Sequence, residues 1–149
     1  MMGPLTHLTI AREYDAAHTL WHPSFTREEN YRAFGECANP AGHGHRFRVE
    51  LTFGARVSAE RPYVIRRESI RRIFDDLLAS RLDRTNLNTA FGPDGFLPTG
   101  ENLVRAIWKI VEGSLDEDVA LVRVKVVETR KNSFSYTGGR RPNSRTAID

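Results

Sequence analysis

The most constraining pattern in this 149-residue sequence is a strict two-residue alternation over residues 45–53. Successive side chains of a β-strand point to opposite faces of a sheet, so the pattern predicts a strand with one buried face and one hydrated face. The expected buried residues are Phe47, Val49, Leu51 and Phe53, and the expected hydrated residues are Arg46, Arg48, Glu50 and Thr52. We therefore expect a sheet that is covered on one side.

Two mid-sequence segments have the apolar spacing of helices that bury one stripe of side chains. Apolar residues recur at i, i+3, i+4 and i+7 over residues 69–80 and again over residues 100–112, with Gly113 as the expected stop. Both segments fall between predicted strands, so both helices are expected to cover the same sheet.

Three further strands are predicted at residues 7–16, 119–129 and 132–137. The order strand, strand, helix, helix, strand, strand (ββααββ) favours an α+β fold, in which an antiparallel four-stranded sheet carries two helices on one face. The length favours a single domain over residues 1–149. Residues 138–149 have no apolar pattern and are expected to form a flexible tail.

Three of the five histidines are candidates for a metal site. His43 and His45 are two residues apart at the start of a predicted strand, so their side chains share one face. His18 follows the first strand and would lie beside them if the first two strands form a hairpin around the long loop at 21–42. Three histidines with an open fourth position are typical of catalytic zinc. A pair of surface histidines without a metal is the alternative.

Cys37 is the single cysteine and lies in the same loop, six residues before His43. A lone cysteine is most often an inert small apolar residue. Beside a metal it can be a ligand, or a thiolate base with a lowered pKa. A single cysteine also excludes an intrachain disulfide, which fits a reducing cytoplasm.

Three polar residues at the ends of elements are candidates for substrate binding. Glu128 ends the strand at 119–129 and can accept two N–H groups of a heterocycle, or it can be a solvated strand end. Thr99 and Glu101 begin the second helix, where the ordinary interpretation is an N-cap followed by an acidic first turn.

The formal net charge is +3, without a basic tail or a recognisable nucleic-acid-binding motif. Arginines near the first helix indicate a solvated face, or attraction for an anionic substrate such as a triphosphate. These are Arg66, Arg67, Arg71 and Arg72. No apolar run reaches membrane-spanning length, and residues 1–6 lack the pattern of a secretory signal. Neither nucleic acid nor membrane is therefore an expected partner.

Taken together, these residues resemble the 6-pyruvoyltetrahydropterin synthase family over roughly residues 8–137. The most specific stretch runs from Phe34 to His45 and resembles the family's Cys-Asn-Asn-Pro-x-Gly-His-Gly-His segment. The other matching segments are Tyr14-Asp15-Ala16-Ala17-His18, Pro98-Thr99-Gly100-Glu101-Asn102 and Val127-Glu128-Thr129. All occur in the family's order.

The resemblance implies a tunnelling fold, in which the sheets of several subunits close an oligomeric barrel, usually a homohexamer of two stacked trimers with pterin sites between subunits. It implies that His18, His43 and His45 bind Zn²⁺. The implied substrate is dihydroneopterin triphosphate, with Cys37 taking a proton and Glu128 anchoring the pterin ring. Thr99 and Glu101 would lie nearby.

One departure from the family concerns the proton relay. The family's Leu-Asp-His motif appears here as Leu82-Asp83-Arg84. The resemblance implies that Asp83 and the residue at position 84 complete the relay with Cys37, but arginine remains protonated and cannot shuttle a proton. Arg84 is instead expected to lower the pKa of Cys37 through its charge, or to bind the triphosphate.

Three functions follow from the resemblance. The first is a zinc-dependent pterin lyase that releases triphosphate, as in the pyruvoyl-type branch, which the Cys37-to-His43 spacing resembles. The second is a 6-carboxytetrahydropterin synthase of the queuosine pathway. The third is a pterin-binding homologue without the standard activity, which the arginine at position 84 favours. An unrelated zinc hydrolase would not need Glu128.

Overall fold

Two long antiparallel strands form the centre of the protein, whose computed structural model describes residues 3–91 and 96–139. Strand β1 (Leu5–His18) pairs with β2 (His43–Arg56) without a register shift, from Leu5 opposite Arg56 to His18 opposite His43. The predicted hairpin is confirmed, and both strands extend two or more residues past their predicted ends. The alternation in β2 is as predicted, with Phe47, Val49, Leu51 and Phe53 buried.

The sheet has five strands in the order β3-β1-β2-β4-β5. Strand β4 (Ala120–Val127) pairs with β2, and β5 (Ser133–Tyr136) pairs with β4, both antiparallel. Strand β3 (Thr85–Asn86) lies parallel to Ala16 and Ala17 of β1. The expectation of a four-stranded, wholly antiparallel sheet is therefore wrong, because β3 adds a fifth, parallel strand. A strand of two residues is too short to leave a periodic signal in the sequence.

Helix α1 (Arg27–Phe34) lies within the insertion between β1 and β2, where Thr26 and Glu29 form a capping box. Helix α2 covers 67–82 without interruption, as an α-helical segment Arg67–Arg71, a π-helical segment Arg72–Leu78 and an α-helical segment Ala79–Leu82. Two more helices follow, the single turn α3 (Leu87–Ala90) and the long α4 (Gly100–Glu112). The two predicted helices are thus α2 and α4.

The core lies between α2, α4 and one face of the sheet. Its largest fully buried side chains are Phe47, Phe53, Phe74, Leu51, Ile73, Leu78, Leu82, Leu87, Leu103 and Ile107. Arg46 and Arg48 of β2 are exposed on the opposite face. His43 and His45 precede Phe47 on the core-facing side, so the candidate site lies at the end of the core. Of the expected tail, residues 140–149 lie outside the described residues.

Tyr14 connects β1 to the π-helical segment of α2. Its buried hydroxyl donates a hydrogen bond of 2.7 Å to the carbonyl oxygen of Phe74. Burial raises the pKa of Tyr14, so the hydroxyl remains protonated and able to donate. A π-helical stretch departs from the regular α-helical ladder, and this side chain satisfies one of its carbonyls.

We expect Tyr14→Phe to lower the free energy of unfolding by roughly 1–3 kcal/mol, because the buried Phe74 carbonyl would lose its side-chain donor. Chemical denaturation followed by circular dichroism measures this change. Tyr31→Phe is the matched control, since Tyr31 is exposed and should shift the free energy of unfolding by less than about 0.5 kcal/mol. Equal effects of the two substitutions would contradict a structural role for the Tyr14 hydroxyl.

Candidate metal centre and pterin site

The antiparallel register of β1 and β2 brings the three predicted histidine ligands to one end of the hairpin. His18 lies opposite His43, and Ala16 lies opposite His45. The ring centroids of His18 and His45 are 4.9 Å apart, and those of His43 and His45 are 4.5 Å apart. Residues 25 positions apart in the sequence thus become neighbours through strand pairing alone.

His18 has the environment of a metal ligand. It is 1% exposed, and its Nδ1 lies 3.1 Å from the carbonyl oxygen of Pro98. Nδ1–H donating to a backbone carbonyl fixes the ring and leaves Nε2 as the lone-pair donor, as is usual for histidines that bind metal. His18 Nε2 is buried and has no hydrogen-bond partner among the described residues. Such an orphaned atom is costly unless something else binds it, so a metal ion fits the site.

Cys37 and Glu128 reach the same point from two other elements. Cys37 lies in the 3-10 turn Gly35–Ala38, and its Sγ is 3.9 Å from His45 Nε2. Glu128 directly follows β4, and its Oε1 lies 3.2 Å from His45 Nε2 and 3.7 Å from His18 Nε2. The donor atoms of His18, Cys37, His45 and Glu128 all lie within 4.8 Å of one another.

His43 is not part of this four-residue group, although the sequence predicts it as a ligand. Its backbone lies directly opposite His18, and its ring contacts His45. Gly42, just before it, has a φ of 81°, and a Cβ there would lie 3.3 Å from Thr19 Oγ1. This glycine lets the loop approach β1 closely. The strand register therefore holds His43 beside the site, with its ring against His45.

Burial sets the protonation of these groups. It lowers the pKa of His45 to about 4 and also lowers that of His18, with the neighbouring imidazoles contributing in each case. Both rings are therefore neutral at pH 7, which is the form that binds metal. Burial, followed by the charges of Glu128 and Glu36, raises the pKa of the Cys37 thiol. In the metal-free protein Cys37 is thus a thiol.

Glu128 and Glu101, two of the predicted substrate-binding residues, lie close enough for their charges to interact. Burial and the charge of Glu101 raise the pKa of Glu128, while His43 and a hydrogen bond from Asn132 oppose the shift. Thr99 is the N-cap of α4, since its Oγ1 accepts a hydrogen bond of 3.2 Å from the backbone N–H of Asn102. Glu101 is exposed in the first turn of α4. The capping predicted for Thr99 is confirmed.

Asp83 and Arg84 lie at the outer edge of β1. The Asp83 carboxylate accepts a hydrogen bond of 3.3 Å from the backbone N–H of Asp15, and the Arg84 N–H donates to the Asp15 carbonyl at 2.6 Å. Arg84 has a φ of 56° and, with Arg46 and His45, lines a cavity of about 570 Å³. Within the described chain, neither residue forms a hydrogen bond with the Cys37 side chain, and the shift in the Cys37 pKa comes from burial, Glu128 and Glu36 and not from Arg84.

Sequence reasoning missed two contributions to this site. The Pro98 carbonyl that orients His18 is a backbone group, and backbone groups leave no signal in residue type. Asn88 binds the backbone of Thr19, next to His18, through its side chain. Its position four residues after Arg84 of the Leu82-Asp83-Arg84 segment was the only signal in the sequence, and that signal could be interpreted only with the fold.

The fold and this group of donors define an α+β protein with a histidine-based candidate metal centre at one end of a covered sheet. Residues 7–139 match the family described as 6-pyruvoyl tetrahydropterin synthase, and the chain belongs to that family.

Two relatives and one solved structure illustrate the similarity. The chain is 32% identical over 136 residues to 6-pyruvoyl tetrahydrobiopterin synthase of Drosophila melanogaster, covering 91% of this chain and 81% of that protein. It is 31% identical over 127 residues to the Homo sapiens protein of the same name, covering 84% and 86%. The structure of Caenorhabditis elegans 6-pyruvoyl tetrahydropterin synthase superposes with a TM-score of 0.82 at 23% identity, covering 93% of this chain and 99% of that one.

Among residues 3–91 and 96–139, no helix has both the length and the apolar character that crossing a membrane requires.

We expect the purified protein to bind one zinc ion per chain and His45→Ala to weaken zinc binding by more than about 100-fold, because Nε2 of His45 is central to the donor group. Competition with a chromophoric chelator measures the dissociation constant. His7→Ala is the matched control, since His7 is exposed on β1 and should change affinity by less than about twofold. Similar affinities of the two variants would place the metal elsewhere.

Proposed function

We propose that this protein is a zinc-dependent pterin lyase that acts on 7,8-dihydroneopterin triphosphate and releases triphosphate. The observation that carries the proposal is the orphaned, buried Nε2 of His18, which faces donor atoms of His45, Cys37 and Glu128 in a chain of this family. A metal ligand, a candidate base and a candidate heterocycle anchor thus meet at one point.

His18 and His45 are proposed as metal ligands, with His43 joining them by reorienting its side chain. Neutral imidazoles offered from two paired strands suit Zn²⁺, and three of them leave a position for substrate. When bound by these histidines, zinc would supply a Lewis acid beside the side-chain hydroxyls of the substrate, which would make the adjacent C–H more acidic and favour a nearby thiolate.

Cys37 is proposed as the base that takes the acidified proton. Its sulfur lies 3.9 Å from His45 Nε2, so it borders the donor group that would hold the metal. Because burial and two carboxylates keep the thiol protonated in the metal-free protein, the base form requires a positive charge beside it. This requirement ties the basicity of Cys37 to metal binding.

Glu128 is proposed to anchor the pterin ring by accepting two of its N–H groups, with Thr99 and Glu101 beside it. A carboxylate that pairs bidentately with a planar heterocycle fixes its orientation. In the present structure Glu128 Oε1 lies against His45 Nε2 instead. Metal binding to both histidines would release the carboxylate toward substrate.

Arg84 is proposed to receive the triphosphate rather than to relay a proton. Its guanidinium is exposed and shares a cavity with Arg46, so two cations border the same space. Among the described residues, no carboxylate forms an ion pair with Arg84, whereas Arg46 pairs with Asp15. Asp83 would hold this segment on β1 through Asp15, which makes it a positioning residue.

We expect zinc-loaded protein incubated with dihydroneopterin triphosphate to yield a pyruvoyl tetrahydropterin and triphosphate. Cys37→Ala should abolish turnover and keep pterin affinity, because the sulfur is proposed to take the proton and not to bind the ring. Product mass identifies the reaction, and binding is followed by pterin fluorescence. Zinc content is measured in both samples.

The same assay separates the other functions. A carboxy product with acetaldehyde would assign the chain to the 6-carboxytetrahydropterin synthases of the queuosine pathway. Unchanged but bound substrate, in protein shown to hold zinc, would leave a pterin-binding protein and contradict the lyase proposal. Arg84 in place of histidine is the observation that favours that second candidate.

A homohexamer with sites between subunits is proposed for the assembly. Over residues 5–14, no described strand pairs with the outer edge of β1, since β3 reaches only Ala16 and Ala17. Leu5 and Leu8 in this open segment are 59% and 36% exposed. Such an edge pairs readily with a strand of another chain. Edge-to-edge pairing in a ring would close the proposed barrel.

We expect Ala11→Pro to convert the assembly to single chains. The backbone N–H and carbonyl of Asp15 face the outer edge of β1, where they bond Asp83 and Arg84. Because backbone groups of alternate residues in a strand face the same edge, the Ala11 N–H also faces this edge and points away from β2. Proline is tolerated at such an edge but removes the donor that a neighbouring strand needs. Light scattering measures the mass, and Ala11→Ser, which keeps the N–H, should leave it unchanged. An unchanged mass for the proline variant would exclude this edge from the assembly.

A further inference from the structure

The side chain of Asn88, which has no role in the proposed function, binds the backbone of Thr19. The amide oxygen of Asn88 accepts a hydrogen bond of 2.8 Å from the Thr19 N–H, and its amide nitrogen donates one of 2.8 Å to the Thr19 carbonyl. One side chain therefore satisfies both backbone groups of the residue that follows His18. A paired contact of this kind fixes position as well as orientation.

Thr19 lies where three parts of the candidate site meet. His18, with its orphaned Nε2, precedes it directly. Leu20, which follows it, donates its N–H to the Cys37 carbonyl at 2.7 Å. Gly42, directly before the His43 strand, approaches Thr19 so closely that an added Cβ would lie 3.3 Å from Thr19 Oγ1. A contact that fixes the Thr19 backbone therefore also helps to fix the positions of His18, the Cys37 segment and the start of β2 relative to one another.

Asn88 is itself held firmly at this point. It lies in the single-turn helix α3, where the Asn86 side chain accepts a hydrogen bond of 3.0 Å from its backbone N–H. Strand β3, which contains Asn86, pairs with Ala16 and Ala17, the two residues before His18. The segment 85–88 therefore binds the backbone on both sides of His18, at Ala16 and Ala17 before it and at Thr19 after it.

We propose that Asn88 is a positioning residue of the metal centre, which sets His18 and Cys37 through its paired hydrogen bonds to Thr19. The inference rests on the proposed metal centre and adds a residue to it. Within the described part of the chain, Asn88 forms hydrogen bonds with Thr19 and Asn86 and none with a proposed ligand, so its effect is expected to pass through the backbone. A loss of about 10-fold in metal affinity is the scale that outer-sphere partners of ligands contribute.

The test compares zinc dissociation constants of wild type, Asn88→Ala and Thr89→Ala by chelator competition. Thr89 is the matched control because it lies on the same helical turn, and its hydroxyl donates to the Asn86 carbonyl instead of binding Thr19. Asn88→Ala should bind zinc about 10-fold more weakly, and Thr89→Ala should stay within about twofold of wild type. Equal changes in the zinc dissociation constant of the two variants would mean that Asn88 only stabilises α3, and would overturn the proposal.

A second readout needs no metal. Cys37 is the only cysteine, so alkylation of the metal-free protein reports on its segment alone. Because Leu20 bonds the Cys37 carbonyl, Asn88→Ala should speed alkylation several-fold, whereas Thr89→Ala should not. Unchanged alkylation together with unchanged zinc affinity would overturn the proposal.

If Asn88→Ala does not fold, Asn88→Gln decides the question. Glutamine keeps the polar amide, but its extra methylene prevents both 2.8 Å contacts at once, so zinc affinity should still fall. Wild-type affinity in this variant overturns the inference and leaves the proposed function intact. A wild-type chain that binds no zinc would overturn the proposed metal centre, and this inference with it.

Discussion

The uninterrupted pairing of β1 with β2 is the constraint on which the rest of the structure depends. It aligns fourteen residues of each strand, from Leu5 opposite Arg56 to His18 opposite His43. A slip of one residue would turn every side chain of one strand to the other face. Such a slip would expose the core face of β2 and separate His18 from His45. The core and the candidate site therefore depend on the same register, and selection for one preserves the other.

Burial at the end of this hairpin makes the site chemically useful. An exposed histidine has a pKa of about 6.5 and is still partly protonated at pH 7, whereas here desolvation lowers the pKa of both His18 and His45. The same desolvation raises the pKa of Cys37 and Glu128, which lie among them. Without a cation, the donor group consists of two neutral imidazoles, a neutral thiol and a carboxylate whose charged form is destabilised by burial. A bound metal would compensate all of them at once, which explains why such a group persists in a buried position.

Helices α2 and α4 cover one face of the sheet, and they or the residues next to them also form hydrogen bonds that support the candidate site. Tyr14 reaches the π-helical part of α2, and the Pro98 carbonyl just before α4 orients His18. The turn of α3 holds Thr19 through Asn88. The candidate site is thus supported from β1, β2, β4 and the segments that lead into two helices. It is held by hydrogen bonds between side chains and backbone groups of elements that are distant in the sequence.

Local periodicity determined much of this protein from its sequence alone. The alternation in residues 45–53, the helical stripes at 69–80 and 100–112 and the shared strand face of His43 and His45 all describe residues whose side-chain directions follow from their own element. The Thr99 cap is local in the same sense.

Only the tertiary structure decided which donor atoms meet. It grouped Cys37 and Glu128 with two histidines, left the His43 ring beside the group, added β3 to the sheet and placed Asn88 against a residue 69 positions away. Those outcomes depend on packing and on hydrogen bonds between remote segments. No periodicity within a single segment encodes such contacts.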